Sequence, residues 1–152
     1  MTAVHELMST TPVTVSPTTP FAELLSLFAR HGYSALPVVT HEGHVVGIVS
    51  KLDLLRPLVA RRSRISKMDD GTPSAADIMQ KKVVSVEAQD SIADVGRLML
   101  VTKLRSLPVV HRRTRSARPR LVGMVSRGDV LRGLGYRPEP AQRRPRRRGR
   151  RA

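Results

Sequence analysis

Ala35-Leu-Pro-Val-Val39 returns 71 positions later as Ser106-Leu-Pro-Val-Val110, and this echo decides how the chain is read. Working outward, Met8 to Val39 lies over Met79 to Val110 without a gap, with Pro12-Val-Thr-Val15 over Val83-Val-Ser-Val86. After five extra residues in the second copy, Gly47-Ile-Val-Ser-Lys-Leu-Asp53 lies over Gly123-Met-Val-Ser-Arg-Gly-Asp129. Each copy holds about 55 residues, too few to bury an adequate core alone, so the halves are expected to pack together. Two related halves facing each other across a pseudo-twofold axis create a cleft, where function is to be sought.

Period and punctuation give the elements of each copy. Val13 and Val15, like Val84 and Val86, alternate as a short strand does. Thr19 followed by Pro20 reads as an N-cap and a first helical residue, with Glu23 well placed in the first turn. The helix that follows is expected to bury Phe21, Leu24, Leu25 and Phe28, spaced i, i+3, i+4, i+7. Its counterpart starts at Asp90 and uses Ile92, Val95 and Met99. A strand over Leu36 to Val39, a turn through His41-Glu-Gly-His44, a strand over Val45 to Val49 and a helix over Lys51 to Val59 complete the unit. The order is β-α-β-β-α in an α/β (α+β) fold, the two repeats packed as a pseudo-twofold pair. A short helix is expected before each copy, at Val4 to Met8 and at Ala75 to Met79, the second capped by Ser74-x-x-Asp77.

Composition narrows the function classes. The chain of 152 residues has no Cys, which excludes disulfides, thiolate metal sites and cysteine nucleophiles and suits a reducing cytoplasm. No apolar run approaches the roughly 20 residues that span a bilayer, and the start shows no secretory signal. The formal net charge is +15, of which residues 137–152 carry +7, from eight Arg and Glu139. That Pro- and Arg-rich tail is expected to be disordered. Further basic clusters fall at Arg61, Arg62, Arg64 and Lys67, and between Arg112 and Arg120. The expected divisions are repeat 1 at 1–60, a basic linker at 61–73, repeat 2 at 74–136 and the tail at 137–152.

The β-α-β-β-α order, the Leu-Pro-Val-Val strand and the Gly-h-h-Ser-x-x-Asp sequence, each present twice, resemble the cystathionine-β-synthase (CBS) domain. Two in tandem are similar to a Bateman module. The resemblance covers residues 4 to 135, nearly everything except the tail, so the module is expected to stand alone, without an attached enzyme or channel. The resemblance implies a regulatory module, not an enzyme, that binds an adenosine-containing ligand: AMP, ADP, ATP or S-adenosylmethionine. It also implies a homodimer, for which the helices at Phe21 to Phe28 and Val95 to Met99 are the expected interface, and an unidentified regulated protein.

Site residues follow from the repeated motif. Gly47 lets a ligand or another backbone approach closely. Ser50 stands where strand becomes helix, and Asp53, one turn later, can accept hydrogen bonds from two ribose hydroxyls. In the resembling family Ser contacts phosphate and Asp grips ribose, and Gly123, Ser126 and Asp129 supply the same roles in the second copy. Adenine is expected beside the first strands, at Pro12, Val13 and Val84. Arg105, with Lys51 and Arg127, is a candidate phosphate contact; copy one has Ser34 where copy two has Arg105, so the two clefts should differ.

A structural reading stands beside this one. Ser-x-x-Asp before an apolar helix is also a capping-box variant that stabilises the helix by about 1 kcal/mol and binds nothing. His41-x-x-His44 lies on a hairpin tip without a carboxylate cluster, so no metal site is expected. No P-loop, dinucleotide fingerprint or nucleophile elbow occurs. The alternative function is a dimeric scaffold whose tail, Arg137 to Ala152, binds nucleic acid or another polyanion without sequence specificity.

Overall fold

A computed structural model describes residues 2–59 and 71–140. The basic cluster from Arg61 to Lys67 and the tail beyond residue 140 lie outside the described residues. In the first repeat Val15 forms a single parallel bridge to Val38, followed by α1 (Phe21–Arg30), β1 (Ala35–Val39), β2 (Val45–Ser50), a 3-10 turn (Leu52–Leu55) and α2 (Arg56–Val59). A short helix, α3 (Ala75–Ile78), leads into the second repeat, β3 (Val86–Glu87), α4 (Ile92–Thr102), β4 (Ser106–His111), β5 (Arg120–Ser126) and α5 (Arg127–Gly133). The mixed α/β repeat expected from the sequence is therefore present twice.

Each repeat is built on an antiparallel hairpin with the first strand parallel beside it. Strand β1 pairs with β2 in a register of Leu36 to Val49 and Val38 to Gly47, and β4 pairs with β5 in the matching register of Leu107 to Val125 and Val109 to Gly123. Val86 pairs with Val109, as Val15 does with Val38. The first strand of copy one shrinks to one residue because Pro17, with no N–H to extend the ladder, stands where copy two has Ala88.

Local chemistry moves two helix boundaries. Thr19 is not the N-cap of α1: its hydroxyl closes the preceding turn by accepting the Ser16 N–H at 3.0 Å, and Pro20 holds the cap position. Asp90 does the same for Glu87 at 2.8 Å, leaving Ser91 to cap α4 by accepting the Asp94 N–H. The last helix of copy one begins as a 3-10 turn because Pro57 has no N–H to give the Asp53 carbonyl. Arg56 donates to that carbonyl instead, one residue early. Copy two has Gly133 at this position and forms an ordinary α-helix.

The segments that lead the two repeats are exchanged. Val4, from the short 3-10 helix Val4–Glu6, is fully buried in the core of the second repeat with Val95, Leu107, Val109 and Val125. Ala75 and Ile78 of α3 complete the core of the first repeat beside Leu24, Phe28, Leu36 and Val49. Backbone bonds fix both crossings. Ser9 and Met124 exchange N–H···O bonds of 2.8 and 3.0 Å, and Gln80 and Ile48 exchange bonds of 2.8 and 3.0 Å. The pseudo-twofold axis passes where His44 and Arg120 bridge the starts of β2 and β5. Neither core is complete without the other half.

Because the cores consume Leu24, Phe28, Val95 and Met99, these residues do not form an outer face. Leu25 of α1, expected in the core, is instead 45% exposed. The more exposed apolar side chains lie at Leu52, Leu58 and Val59 on α2 and its preceding turn, at Leu100 and Val101 on α4, and at Leu134 just after α5. Among the described residues no helix is long and apolar enough to cross a membrane.

Candidate functional site

Two cavities lie between the repeats, one for each copy of the Ser-x-x-Asp motif. The first, about 750 Å³, is lined by Ser50, Lys51 and Asp53 of repeat one and by Lys82, Val84 and Arg105 of repeat two. The second, about 480 Å³, is lined by Ser126 and Asp129 of repeat two and by Pro12, Val13 and Ser34 of repeat one. Each cavity thus sets the Ser and Asp of one repeat against the first-strand region of the other. The exchange of leading segments produces this crossing. Gly32, Tyr33, Ser34, Ala35, Arg105 and Ser106 border both cavities, and the Ser34 and Ser106 hydroxyls meet between them at 2.7 Å.

Of the residues singled out in the sequence, Ser50, Asp53, Val84, Ser126, Asp129, Pro12, Val13 and Arg105 line the cavities. Gly47 and Gly123 do not. A Cβ on Gly47 would collide with Met79 and one on Gly123 with Met8 and the Ser9 carbonyl, so these glycines admit the exchanged segments. Arg127 is also committed elsewhere: its guanidinium donates to the carbonyls of Leu104 at 3.2 Å and Lys103 at 2.9 Å, and it lines neither cavity.

The two carboxylates are held differently. Asp53 is 2% exposed and accepts four hydrogen bonds. Its Oδ2 takes the Ser50 N–H at 2.8 Å and the Ser50 hydroxyl at 3.0 Å; its Oδ1 takes Arg56 Nε at 2.8 Å and Gln80 Nε2 at 3.1 Å. Burial pushes this carboxyl up, but the Ser50 N–H, Arg56, Gln80 and the Ser50 hydroxyl together outweigh it and hold the group below its ordinary value. Asp129 is 8% exposed and accepts the Ser126 N–H at 2.7 Å on Oδ2 and Arg132 on Oδ1. In the other direction, the Ser126 hydroxyl accepts the Asp129 N–H at 3.2 Å. Ser126 and Asp129 therefore form a capping box on α5, whereas Ser50 and Asp53 share the Ser N–H to carboxylate bond ahead of a 3-10 turn whose cap position is Lys51. Both motifs face a cavity.

Arg56 and Arg132 escape a motif-by-motif reading, although Asp-x-x-Arg stands in both copies one helical turn apart. Gln80 carries no such signal, because it reaches Asp53 from the segment leading the other repeat. Among the described residues no group of three or more His, Asp or Glu side chains converges as a metal site. A third cavity, about 410 Å³, is bordered by His44, His111, Arg113, Arg118 and Arg120 and shares no residue with the two clefts.

Comparison with known proteins agrees with this architecture. The model of the CBS domain matches residues 4–60 and again 75–136. The CBS domain-containing protein YhcV of Bacillus subtilis is 32% identical over 130 residues, a match covering 86% of this chain and 84% of that one. The inosine-5'-monophosphate dehydrogenase of Methanocaldococcus jannaschii is 27% identical over 130 residues, covering 86% of this chain but only 23% of the enzyme. Among solved structures, CBSX2 in complex with AMP superposes with a TM-score of 0.72 at 28% identity, covering 88% of this chain and 96% of that one. With both repeats matched and their hairpins in the same register, the chain belongs to the CBS domain family and carries a tandem pair.

Proposed function

We propose that this CBS pair is a regulatory module that takes an adenosine-containing ligand between its repeats and passes the bound state to a partner protein. The observation that carries the reading is the crossing of the repeats at each cavity. A Ser at the end of a strand and a carboxylate three residues on from one half face Val13 or Val84 from the other, so a bound nucleoside touches both halves at once. In this reading the carboxylate receives the ribose hydroxyls, the Ser hydroxyl and Arg105 meet phosphate, and the apolar strand residues flank adenine. The AMP complex of CBSX2, a relative by fold and sequence, supports the ligand class.

Regulation follows if the ligand favours one arrangement of the halves over another; tight binding alone shifts nothing. The match within a much longer dehydrogenase supports a role beside a larger partner. We assign the module no catalysis, and a cytoplasmic location belongs to the same reading.

Thermal unfolding against AMP, ADP, ATP and S-adenosylmethionine tests the proposal. A ligand at 100 times its dissociation constant stabilises the native state by about 2.7 kcal/mol. The 2'-deoxy form of the best ligand should stabilise less. A flat response across the panel would remove the sensor reading and leave the scaffold with a polyanion-binding tail.

A further inference from the structure

We infer that Gln80 closes the Asp53 cleft to ribose, so that the chain binds a single adenosine ligand, in the Asp129 cleft. This rests on the adenosine reading given above and decides which of the two clefts serves it.

The two carboxylates differ in their free acceptor capacity. A carboxylate has about four lone-pair directions, two on each oxygen. At Asp53 each oxygen already has two donors: Ser50 N–H and hydroxyl on Oδ2, Arg56 Nε and Gln80 Nε2 on Oδ1. A ribose diol would have to displace one or more of these. At Asp129 each oxygen has one donor, Ser126 N–H on Oδ2 and Arg132 on Oδ1, which leaves room for two hydroxyls. Exposure runs the same way, with side-chain accessibility 2% at Asp53 and 12% at Asp129.

The difference has one clear origin. The residue related to Gln80 by the repeat is Ser9, and both make the same backbone exchange, Gln80 with Ile48 and Ser9 with Met124. The long amide of Gln80 spans the remaining gap to Asp53, whereas the side chain of Ser9 makes no hydrogen bond to Asp129. Lys51, Lys82 and Lys103 around the first cleft attract phosphate, but they offer no acceptor to the ribose.

Calorimetric titration of the full chain with AMP tests this directly. The parent protein should bind one AMP per chain, and Gln80→Ser, which installs the residue found at position 9, should bind two. Asp129→Asn should weaken the parent's binding at least about tenfold, the loss expected for hydrogen bonds to a charged group. The double variant Gln80→Ser/Asp129→Asn should regain one AMP, now in the first cleft. This gain cannot arise from misfolding. Two AMP on the parent, or one on Gln80→Ser, would overturn the role of Gln80 while leaving the adenosine reading intact. No AMP, ADP, ATP or S-adenosylmethionine on any of these proteins would overturn both.

Discussion

The carbonyl oxygen of Ser9 stands 2.6 Å from the point that a Cβ on Gly123 would occupy. At the related seam, a Cβ on Gly47 would meet the Met79 side chain, with Cγ at 2.8 Å, while the nearest carbonyl, that of Gln80, lies 3.1 Å away. A methionine side chain can swing aside; a carbonyl hydrogen-bonded into a strand crossing cannot do so cheaply. Gly123→Ala should therefore destabilise the chain toward the upper end of about 1–3 kcal/mol, and Gly47→Ala by less. Urea midpoints at an unchanged m value measure the order. Equal losses would show that the two seams relax alike.

Acid should act on Asp53. Its folded pKa is held below the ordinary value of 3.8, so at intermediate pH the unfolded chain binds the extra proton. The stability this group contributes is present above the unfolded value and is lost as pH falls from there through the folded value. Asp53→Asn keeps the shape and removes the titration. At neutral pH it should be less stable than the parent by about 1–3 kcal/mol, because a buried, charge-assisted network loses its acceptor. The gap should narrow as pH falls below about 4, since the parent's carboxylate is then being protonated. A gap that stays constant or widens on acidification would mean that the charge on Asp53 does not stabilise the fold.

How far the sequence could be read depended on where each interaction's partners lie along the chain. The hairpins were legible because Leu-Pro-Val-Val and Gly-h-h-Ser alternate within a few residues, and the register of β1 on β2 repeats that of β4 on β5. The cleft residues Ser50, Asp53, Ser126 and Asp129 were legible as a repeated local motif. The helix starts at Thr19 and Asp90 were misplaced because the same side chains that cap helices also close turns, and here the turns have them. The exchange of leading segments left no local trace: Val4 and Ile78 look like ordinary apolar residues until the chain is folded. For the same reason Gln80 was invisible, since its partner Asp53 lies 27 positions away in the other repeat.

Self-association is the prediction that the exposed apolar helices carry. Leu58, Val59 and Val101 are each more than 80% exposed, and Leu52, Leu100 and Leu134 exceed two-thirds. These residues lie on α2 with its preceding turn, on α4 and, at Leu134, just past the end of α5. A stable homodimer needs about 1,600 Å² of buried surface in total, and pairing of these helices is a direct way to supply it. Light scattering after size exclusion should give twice the chain mass of 16.8 kDa at micromolar concentration. Val101→Glu should shift the population toward monomer without unfolding it, as this side chain lies outside both cores. A monomeric parent protein would dismiss the idea.

The basic tail should separate cleanly from the cleft. Residues 137–152 carry eight Arg and one Glu, nearly half of the net charge of +15, and of the described ones, 137–140, none lines either cavity. Removing them should leave the melting temperature and any AMP affinity unchanged while weakening binding to heparin or duplex DNA. Polyanion binding by the full chain should fall steeply with salt, with a slope of about −0.9 per neutralised phosphate, and truncation should flatten that slope by several units. If truncation left polyanion affinity and slope unchanged, the contact would lie on the basic clusters at Arg61 to Lys67 and Arg112 to Arg120, and Arg→Ala variants of each cluster in turn would locate it. If truncation instead weakened AMP, the tail would have to reach the cleft, and the separation of charge from nucleotide binding would fail.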